Sequence, residues 1–565
     1  MAGSSLTIER SERAMSSARN ANPSRVSTDV KGLVLVTVAA LLVLVPVLLW
    51  GIPTGADLVN HYRYALPFFD SIQHGNLQPG WLAESNGGYG DPRLRFYPPA
   101  LYFLLALFHS VLAWYWASIA SFVLLSILGG LGVYLWAREY VSPSQATVAA
   151  ICYAVVPYRL NEIYQASLLA EYFASAILPL VFAFIVRLCR KGRPLDMVGL
   201  SVSYALLILS NLPLAVIGSI SALVFAVMQL DRERLFNQVV TLATSVGLGL
   251  GVSAFFWVGM ASELSWIKGN DVTANPYYDY RVNFLFSPEA LVNRNTWYAN
   301  LLAVSVLAFL APAVFVVGRK MSRAVKAVLV LVLFSFFMAT PLSRPLWAVI
   351  PKLAQTQFPW RWLAVTSLAA SILIGLILDK WINVLRTKLS PVTLLPTLLF
   401  VGALLFVVTQ IVWDAEYLSK QRFDTLLPQI HQAASFKDWL PINAKNFVEL
   451  PRMDSNVEAE PRNVAIQAWE PELRRFEVSN GPATTARIKT YYYPSWTATI
   501  NGNQMPVGSD SNGVIQINVP GGQSTVEMRF GPPSHFRAAR TVSLVSLGVL
   551  AILLGFHFVG RKQQV

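Results

Sequence analysis

The feature that constrains this chain most is a succession of apolar runs long enough to cross a bilayer. The first, "GLVLVTVAALLVLVPVLLWGI", carries no charge from Gly32 to Ile52. About twenty apolar residues in a helix match the hydrocarbon thickness of a membrane, and in lipid every backbone polar group must be satisfied within such a segment. Over the 565 residues, 54% are hydrophobic and only 13% charged, so the solvent of this chain is mostly lipid. The first run is Leu/Val-rich and is followed by no small-x-small site, which favours an uncleaved first span over a signal peptide.

The net charge of +13 does not call for nucleic acid. Residues 414–540 hold 13 Lys/Arg and 13 Asp/Glu, so the excess lies in the apolar part, where a positive-inside bias accounts for it. The two cysteines, Cys152 and Cys189, sit in apolar segments without ligand spacing and argue against a disulfide framework.

Apolar candidates fall at 32–50, 98–114, 116–137, 144–157, 172–189, 197–210, 213–230, 239–258, 299–318, 324–340, 361–379, 392–413 and 541–559. The tail 1–31, with Arg10, Arg13, Arg19, Arg25 and Lys31, and the loop with Arg187, Arg190, Lys191 and Arg193 should both be cytoplasmic. An even number of crossings must separate them, yet five candidates do. The segment 98–114 opens with Pro98 and Pro99, contains His109 and abuts its successor without a polar loop, so it reads as a surface helix. Segment 144–157 is the alternative for exclusion. With "SNLP" at 210–213 as a tight turn, the expected fold is an α-helical polytopic membrane protein. The domain 32–413 carries eleven of about twelve transmembrane helices plus the surface helix, and the last is the C-terminal helix at 541–565. Loops 51–115, 157–171, 259–298 and 341–360 then lie outside.

The outside also receives 414–540, which reads as a separate small β domain. Ile515, Ile517 and Val519 alternate with polar residues, as do Val526, Met528 and Phe530; "PGG" turns between them, and Asn501-Gly502 is a second hairpin signal. Its "YYYPSW" suits either sugar stacking or, more plainly, a β core or a contact with the membrane domain.

Ionisable residues on irregular backbone at a membrane boundary are costly and point to function. The first outer loop supplies Asp57, His61, Glu84, Tyr89, Asp91 and Tyr97; the second supplies Arg159, Glu162 and Glu171; "QTQFPWRW" supplies Trp360 and Arg361. Acids converging with arginines suit a reaction in which a hydroxyl loses its proton while a phosphate leaves: Asp57 as general base, a guanidinium on the phosphate. Two or three carboxylates would alternatively hold a divalent cation, Mg²⁺ or Mn²⁺. Each residue also has a plainer role. Asp57 suits an N-cap, and His61, four residues on, suits a partner for it. Glu171 suits a helix N-terminus, Arg361 a cation-π anchor, and Glu84 and Asp91 solvated turns.

"ADLVNH", "GGYGDPRLRFYPPALYFL", "QASLLAEYFASAILPL", "SNLPL" and "QFPWRW" together resemble bacterial multi-span proteins labelled "6-pyruvoyl-tetrahydropterin synthase-related", grouped with the GT-C superfamily of lipid-linked glycosyltransferases. The resemblance spans most of residues 32–380. Pterin chemistry itself is rejected, because the six histidines, His61, His74, His109, His431, His535 and His557, show no zinc-ligand spacing. The resemblance implies a hexosyl- or pentosyltransferase like oligosaccharyltransferase catalytic subunits, protein O-mannosyltransferases and aminoarabinose transferases. In those enzymes an early acidic residue of the first outer loop is catalytic, and Asp57 matches it. A second-loop acid matches Glu171 better than Glu162, and a later arginine that binds the lipid phosphate matches Arg361. The paired acidic motif of the metal-dependent members is absent around Asp57, which puts an obligatory cation in doubt.

The expectation is thus a bacterial cytoplasmic-membrane glycosyltransferase working on the outer face. It takes a sugar from a polyprenyl-phosphate donor whose phosphate lies near Arg361 and Arg159, and hands it with inversion to a glycan, lipid or protein acceptor. His61, Glu162, Glu84 and Asp91 serve as support; Tyr89, Tyr97 and Trp360 contact sugar or acceptor. Membrane lipids surround the chain, and neither a nucleotide cofactor nor nucleic acid is expected; "GGLG" at 129–132 lies in a span and suits helix packing. The rival reading is a non-enzymatic glycolipid transporter, flippase or envelope assembly scaffold, which midplane charges and inverted repeats would favour.

Overall fold

The computed structural model describes residues 23–268, 276–289, 294–316, 318, 321–432, 439–444 and 453–562. Arg10, Arg13 and Arg19 of the tail, and part of the 259–298 loop, lie outside the described residues. The helices in chain order are α1 (Pro23–Leu42), α2 (Val45–Trp50), α3 (Leu58–Gln73), α4 (Ala100–His109), α5 (Trp114–Arg138), α6 (Pro143–Val155), α7 (Pro157–Tyr164), α8 (Leu169–Lys191), α9 (Pro194–Ser210) and α10 (Leu212–Gln229). They continue with α11 (Leu235–Val252), α12 (Ala254–Glu263), α13 (Arg294–Phe309), α14 (Ala311–Val316), α15 (Arg323–Met338), α16 (Arg344–Val349), α17 (Leu363–Thr387), α18 (Pro391–Phe406), α19 (Lys420–Gln432) and α20 (Ser534–Lys562).

Among the described residues seven helical stretches are long and apolar enough to cross a membrane: Trp114–Arg138, Leu169–Lys191, Leu212–Gln229, Arg232–Val252, Pro359–Thr387, Pro391–Val412 and Ser534–His557. α15 and the following Pro341–Val349, bent by 87°, make an eighth if they count as one span. The other expected crossings are shorter or broken helices. The first run is one of these: Pro46 has no N–H to bond Leu42 and its ring crowds that carbonyl, so the helix breaks at Val43–Leu44. α4, expected at the surface, has 10 residues, about 15 Å of helix and half the hydrocarbon thickness. At 210–213 the chain turns as expected, and the Asn211 side chain accepts from Leu214 N at 2.8 Å to cap α10.

Asp29 of the tail pairs with Arg138 at 2.7 Å, and Glu139 next to it pairs with Arg187 at 2.8 Å. The tail and the 187–193 loop therefore share one end of the bundle, as the even count of crossings requires. Inside α5 the glycines serve packing: a Cβ on Gly129 would stand 2.6 Å from Arg159 Nη2, and one on Gly132 3.1 Å from Pro179.

The opposite end carries the β domain. Its strands are numbered after a two-residue pair, β1 (Ile52–Pro53) and β2 (Tyr417–Leu418), which run antiparallel. The domain proper has β3 (Val457–Glu458), β4 (Val464–Glu470), β5 (Leu473–Val478), β6 (Thr484–Tyr491), β7 (Trp496–Ile500), β8 (Asn503–Met505), β9 (Gly508–Ser509), β10 (Val514–Val519) and β11 (Ser524–Phe530). They form two sheets, β3-β6-β10-β9 and β4-β5-β11-β7-β8. Asn501 and Gly502 turn the β7–β8 hairpin with positive φ of 51° and 84°. "PGG" closes no hairpin, because β10 and β11 lie in different sheets. Alternation shows which face a strand buries but not which strand it pairs with, and both strands bury their apolar face in one shared core. The 414–540 segment also contains α19, and α20 starts at Ser534 rather than 541.

The first loop is part of that core. Trp81, Tyr89 and Phe96 are buried with Tyr491, Tyr493, Trp496 and Phe530, so "YYYPSW" places Tyr491, Tyr493 and Trp496 in packing. A buried ion pair ties α12 in: Arg95 Nη1 meets Glu263 Oε1 at 2.7 Å and Ser495 Oγ at 2.9 Å, while Tyr493 Oη donates to Glu263 Oε2 at 2.8 Å. Removing one partner of such a pair strands the other charge, at about 3–5 kcal/mol. Glu263→Ala should therefore lower the unfolding midpoint in detergent by several degrees; an unaltered midpoint would mean the pair contributes nothing to docking.

Candidate active site

Asp57 occupies the N-cap position of α3, yet its side chain accepts none of that helix's free N–H groups. Among the described residues only Asn60 Nδ2 donates to it, to Oδ1 at 3.2 Å. The carboxylate is half-buried, and capping, the plainest role for an aspartate there, is not the one it plays.

Glu171 lies in the first turn of α8 and is fully buried. Tyr158 Oη donates to its Oε1 at 2.6 Å, and Arg361 Nε stands 3.1 Å from its Oε2. Tyr158 and Glu162 are one turn apart on α7, as Glu171 and Ser175 are on α8; Ser175 Oγ donates to Glu162 at 2.5 Å, so the two helices are joined by paired bonds at matching spacing. Arg361 sits in the short helical turn Pro359–Trp362 that feeds α17. Its Nη1 donates to Thr356 O at 2.9 Å and its guanidinium stacks 5.0 Å from the Phe358 ring and 5.9 Å from Trp360. Among the described residues its Nη2 has no hydrogen-bond partner.

Tyr97 lies within the field of all three groups. Burial first, then the charge of Asp57, push its phenol above the ordinary value; Arg361 opposes and Glu171 adds. Asp57, Glu171 and Arg361, far apart in sequence, therefore converge, with Tyr97 and Trp360 beside them. His61 is close by but is not hydrogen-bonded to the Asp57 side chain, contrary to expectation. Its ring lies 3.5 Å from Tyr102 Oη, while Asn60 donates to the Asp57 oxygen. Burial pushes the His61 imidazole down to about 4, against the pull of Asp57 and of the nearby Ser167 carbonyl.

The other expected residues lie elsewhere. Arg159 is buried between the Tyr153 and Tyr172 rings, donates to Leu125 O at 3.1 Å and faces Glu162 at 3.8 Å. These contacts are inside the bundle. Asp91 is fully buried as a loop clip that accepts from Arg93 Nε at 2.8 Å, Ser85 Oγ at 2.5 Å and Asn86 Nδ2 at 3.0 Å. Glu84 is exposed and lines a small cleft with Tyr62 and Arg63. Tyr89 packs on Tyr491 of the β domain, 5.2 Å between rings. Tyr158 and Thr356, which complete the site, were not singled out from sequence; the Tyr158–Glu162 helical spacing was the available signal.

Among the described residues no group of three or more His, Cys, Asp or Glu side chains is arranged to hold a metal ion.

Residues 94–417, more than half of the chain, match the family described as "6-pyruvoyl-tetrahydropterin synthase related domain; membrane protein". The chain belongs to that family. Glu171, Arg361, Tyr97 and Trp360 fall within the matched segment; Asp57 and the β domain fall outside it. No curated protein sequence matches the chain. Among solved structures, it is similar to the arabinofuranosyltransferase AftD from Mycobacteria, at 17% identity and a TM-score of 0.41, over 67% of this chain and 26% of that one. It is also similar to the Archaeoglobus fulgidus oligosaccharyltransferase, at 15% identity and a TM-score of 0.40, over 70% and 57%. ArnT from Cupriavidus metallidurans matches at 13% identity and a TM-score of 0.29, over 70% and 90%. The chain thus spans about a quarter of the first of these and little more than half of the second. At such scores the chemistry rests on the residues of this chain.

Proposed function

We propose that the protein is an integral membrane glycosyltransferase that moves a sugar from a polyprenyl-phosphate donor to a hydroxyl of a glycan, lipid or protein acceptor, on the outer face of a bacterial cytoplasmic membrane. The observation that carries this reading is the half-buried Asp57 carboxylate, free of its capping role and gathered with the Glu171–Arg361 pair at the β-domain end of the bundle. Asp57 takes the proton of the acceptor hydroxyl as its oxygen attacks the anomeric carbon. The bond from that carbon to the phosphate oxygen breaks on the opposite side, inverting the centre and releasing polyprenyl phosphate. The free Nη2 of Arg361 meets the leaving phosphate, Glu171 and Thr356 hold that guanidinium, and Tyr97 and Trp360 flank the sugar. The guanidinium carries the neutralising role a cation has in metal-dependent transferases.

The test is reconstitution of the wild-type protein with radiolabelled polyprenyl-phosphoryl sugars and a crude pool of lipid and glycan acceptors, with and without chelator. Transfer that survives chelation supports the reading. Tight donor binding without transfer to any acceptor would instead indicate a glycolipid carrier or scaffold.

A further inference from the structure

Asp57 is held in place by a neighbouring loop as well as by its own helix. Ser167 lies in the Gln165–Leu168 connection between α7 and α8, is fully buried, and adopts a positive φ of 49°. For a residue with a Cβ this is a sparsely populated conformation, kept where surrounding contacts impose it and frequent at functional sites. The contacts here are specific. Ser167 Oγ accepts from Gly55 N at 2.8 Å and donates to Pro53 O at 3.2 Å, bracing both sides of the turn that leads into Asp57. The Ala166 carbonyl accepts the Asp57 N–H at 3.1 Å. The two backbones touch: a Cβ on Gly55 would stand 2.5 Å from Ala166 C and from Ser167 N.

The same connection is anchored at its far side. Gln165 Nε2 donates to Ile411 O at 2.9 Å, in the π-helical turn Val407–Val412 that ends α18, and Leu168 N donates to Glu162 O at 2.7 Å. α8 then begins at Leu169 and presents Glu171 within its first turn. One short segment thus grips the backbone of Asp57 and launches the helix that carries Glu171, the partner of Arg361.

We propose that Ser167 is a positioning residue: its hydroxyl and its left-handed backbone fix Asp57 relative to the Glu171–Arg361 pair without touching substrate. The proposal rests on the transferase reading and adds to it a residue on which turnover depends.

Ser167→Gly in the full-length protein is the decisive variant, because glycine takes the positive φ without strain while the hydroxymethyl group that carries both bonds is lost. Amide exchange at Gly55 and Asp57 should quicken while the global unfolding midpoint holds. With a labelled polyprenyl-phosphoryl sugar as donor, kcat should fall about 10²-fold, as for a reacting group displaced by about 1 Å. KM for the donor should stay within about twofold, because Arg361 is untouched. Ser167→Ala, which loses the hydroxyl and keeps the strained backbone, should lose at least as much kcat. Wild-type kcat in both variants, unchanged exchange at Gly55 and Asp57, or faster exchange spread over the whole chain would each overturn the proposal. If the wild type transfers nothing yet Ser167→Gly still loosens Gly55 and Asp57 alone, the clamp stands and the transferase reading fails.

Discussion

Asp57→Asn protein is expected to bind a polyprenyl-phosphoryl sugar as the wild type does and to transfer it about 10²–10⁴-fold more slowly, the usual cost of losing a general base. The substitution keeps the size of the side chain. It removes the charge and the proton acceptor, and leaves the Glu171–Arg361 pair 3.1 Å apart as before. Because Asp57 caps nothing, no loss of helix stability should accompany the change, so a fall in kcat at constant KM and constant unfolding midpoint has one cause. Isolated turnover assays on matched proteoliposomes would measure it. Transfer within tenfold of wild type would remove Asp57 from the chemistry and make Glu171 the carboxylate to test next.

The second large effect comes from the pair itself. Arg361→Gln leaves the buried Glu171 carboxylate with Tyr158 as its remaining donor among the described residues, and an uncompensated buried charge costs about 3–5 kcal/mol. It also removes the free Nη2, so donor affinity should fall about 10–100-fold, the worth of one charge-assisted bond. The double variant Arg361→Gln with Glu171→Gln separates the two losses. With neither charge left buried it should recover most of the stability, because a neutral pair of similar volume is tolerated where a single charge is not. Donor affinity should stay low. If affinity returned together with stability, Arg361 would be a structural partner of Glu171 and the phosphate would need another ligand.

Much of the architecture was legible because membrane solvent writes itself into composition. The charge-free run at Gly32–Ile52 fixed a membrane protein, and the count of crossings between two basic segments set aside 98–114, the region where the structure has a 10-residue helix. Alternation at Ile515–Val519 and Val526–Phe530 identified strands, whereas their assignment to different sheets was out of reach, since a strand's period carries no record of its partner.

At the site, residue type placed Asp57, Glu171 and Arg361 among the candidates, because charges at a membrane boundary are costly enough to be few, and the family resemblance singled them out. What sequence could not separate were charges of the same kind with different duties. Asp91 and Arg159 look like site residues in the chain, but one clips a loop and the other is enclosed between Tyr153 and Tyr172. Tyr158 and Ser167 are ordinary in sequence and matter only through what folding lays against them, a buried carboxylate and the backbone of Gly55. The sequence by itself determined the membrane environment, the two-part organisation and the chemical kinds of group at one end of the bundle, all of which follow from local composition and periodicity. Only the tertiary structure decided which of those groups meet, because the meeting is made by contacts between residues such as Asp57, Ser167, Glu171 and Arg361, whose separation along the chain no local pattern encodes.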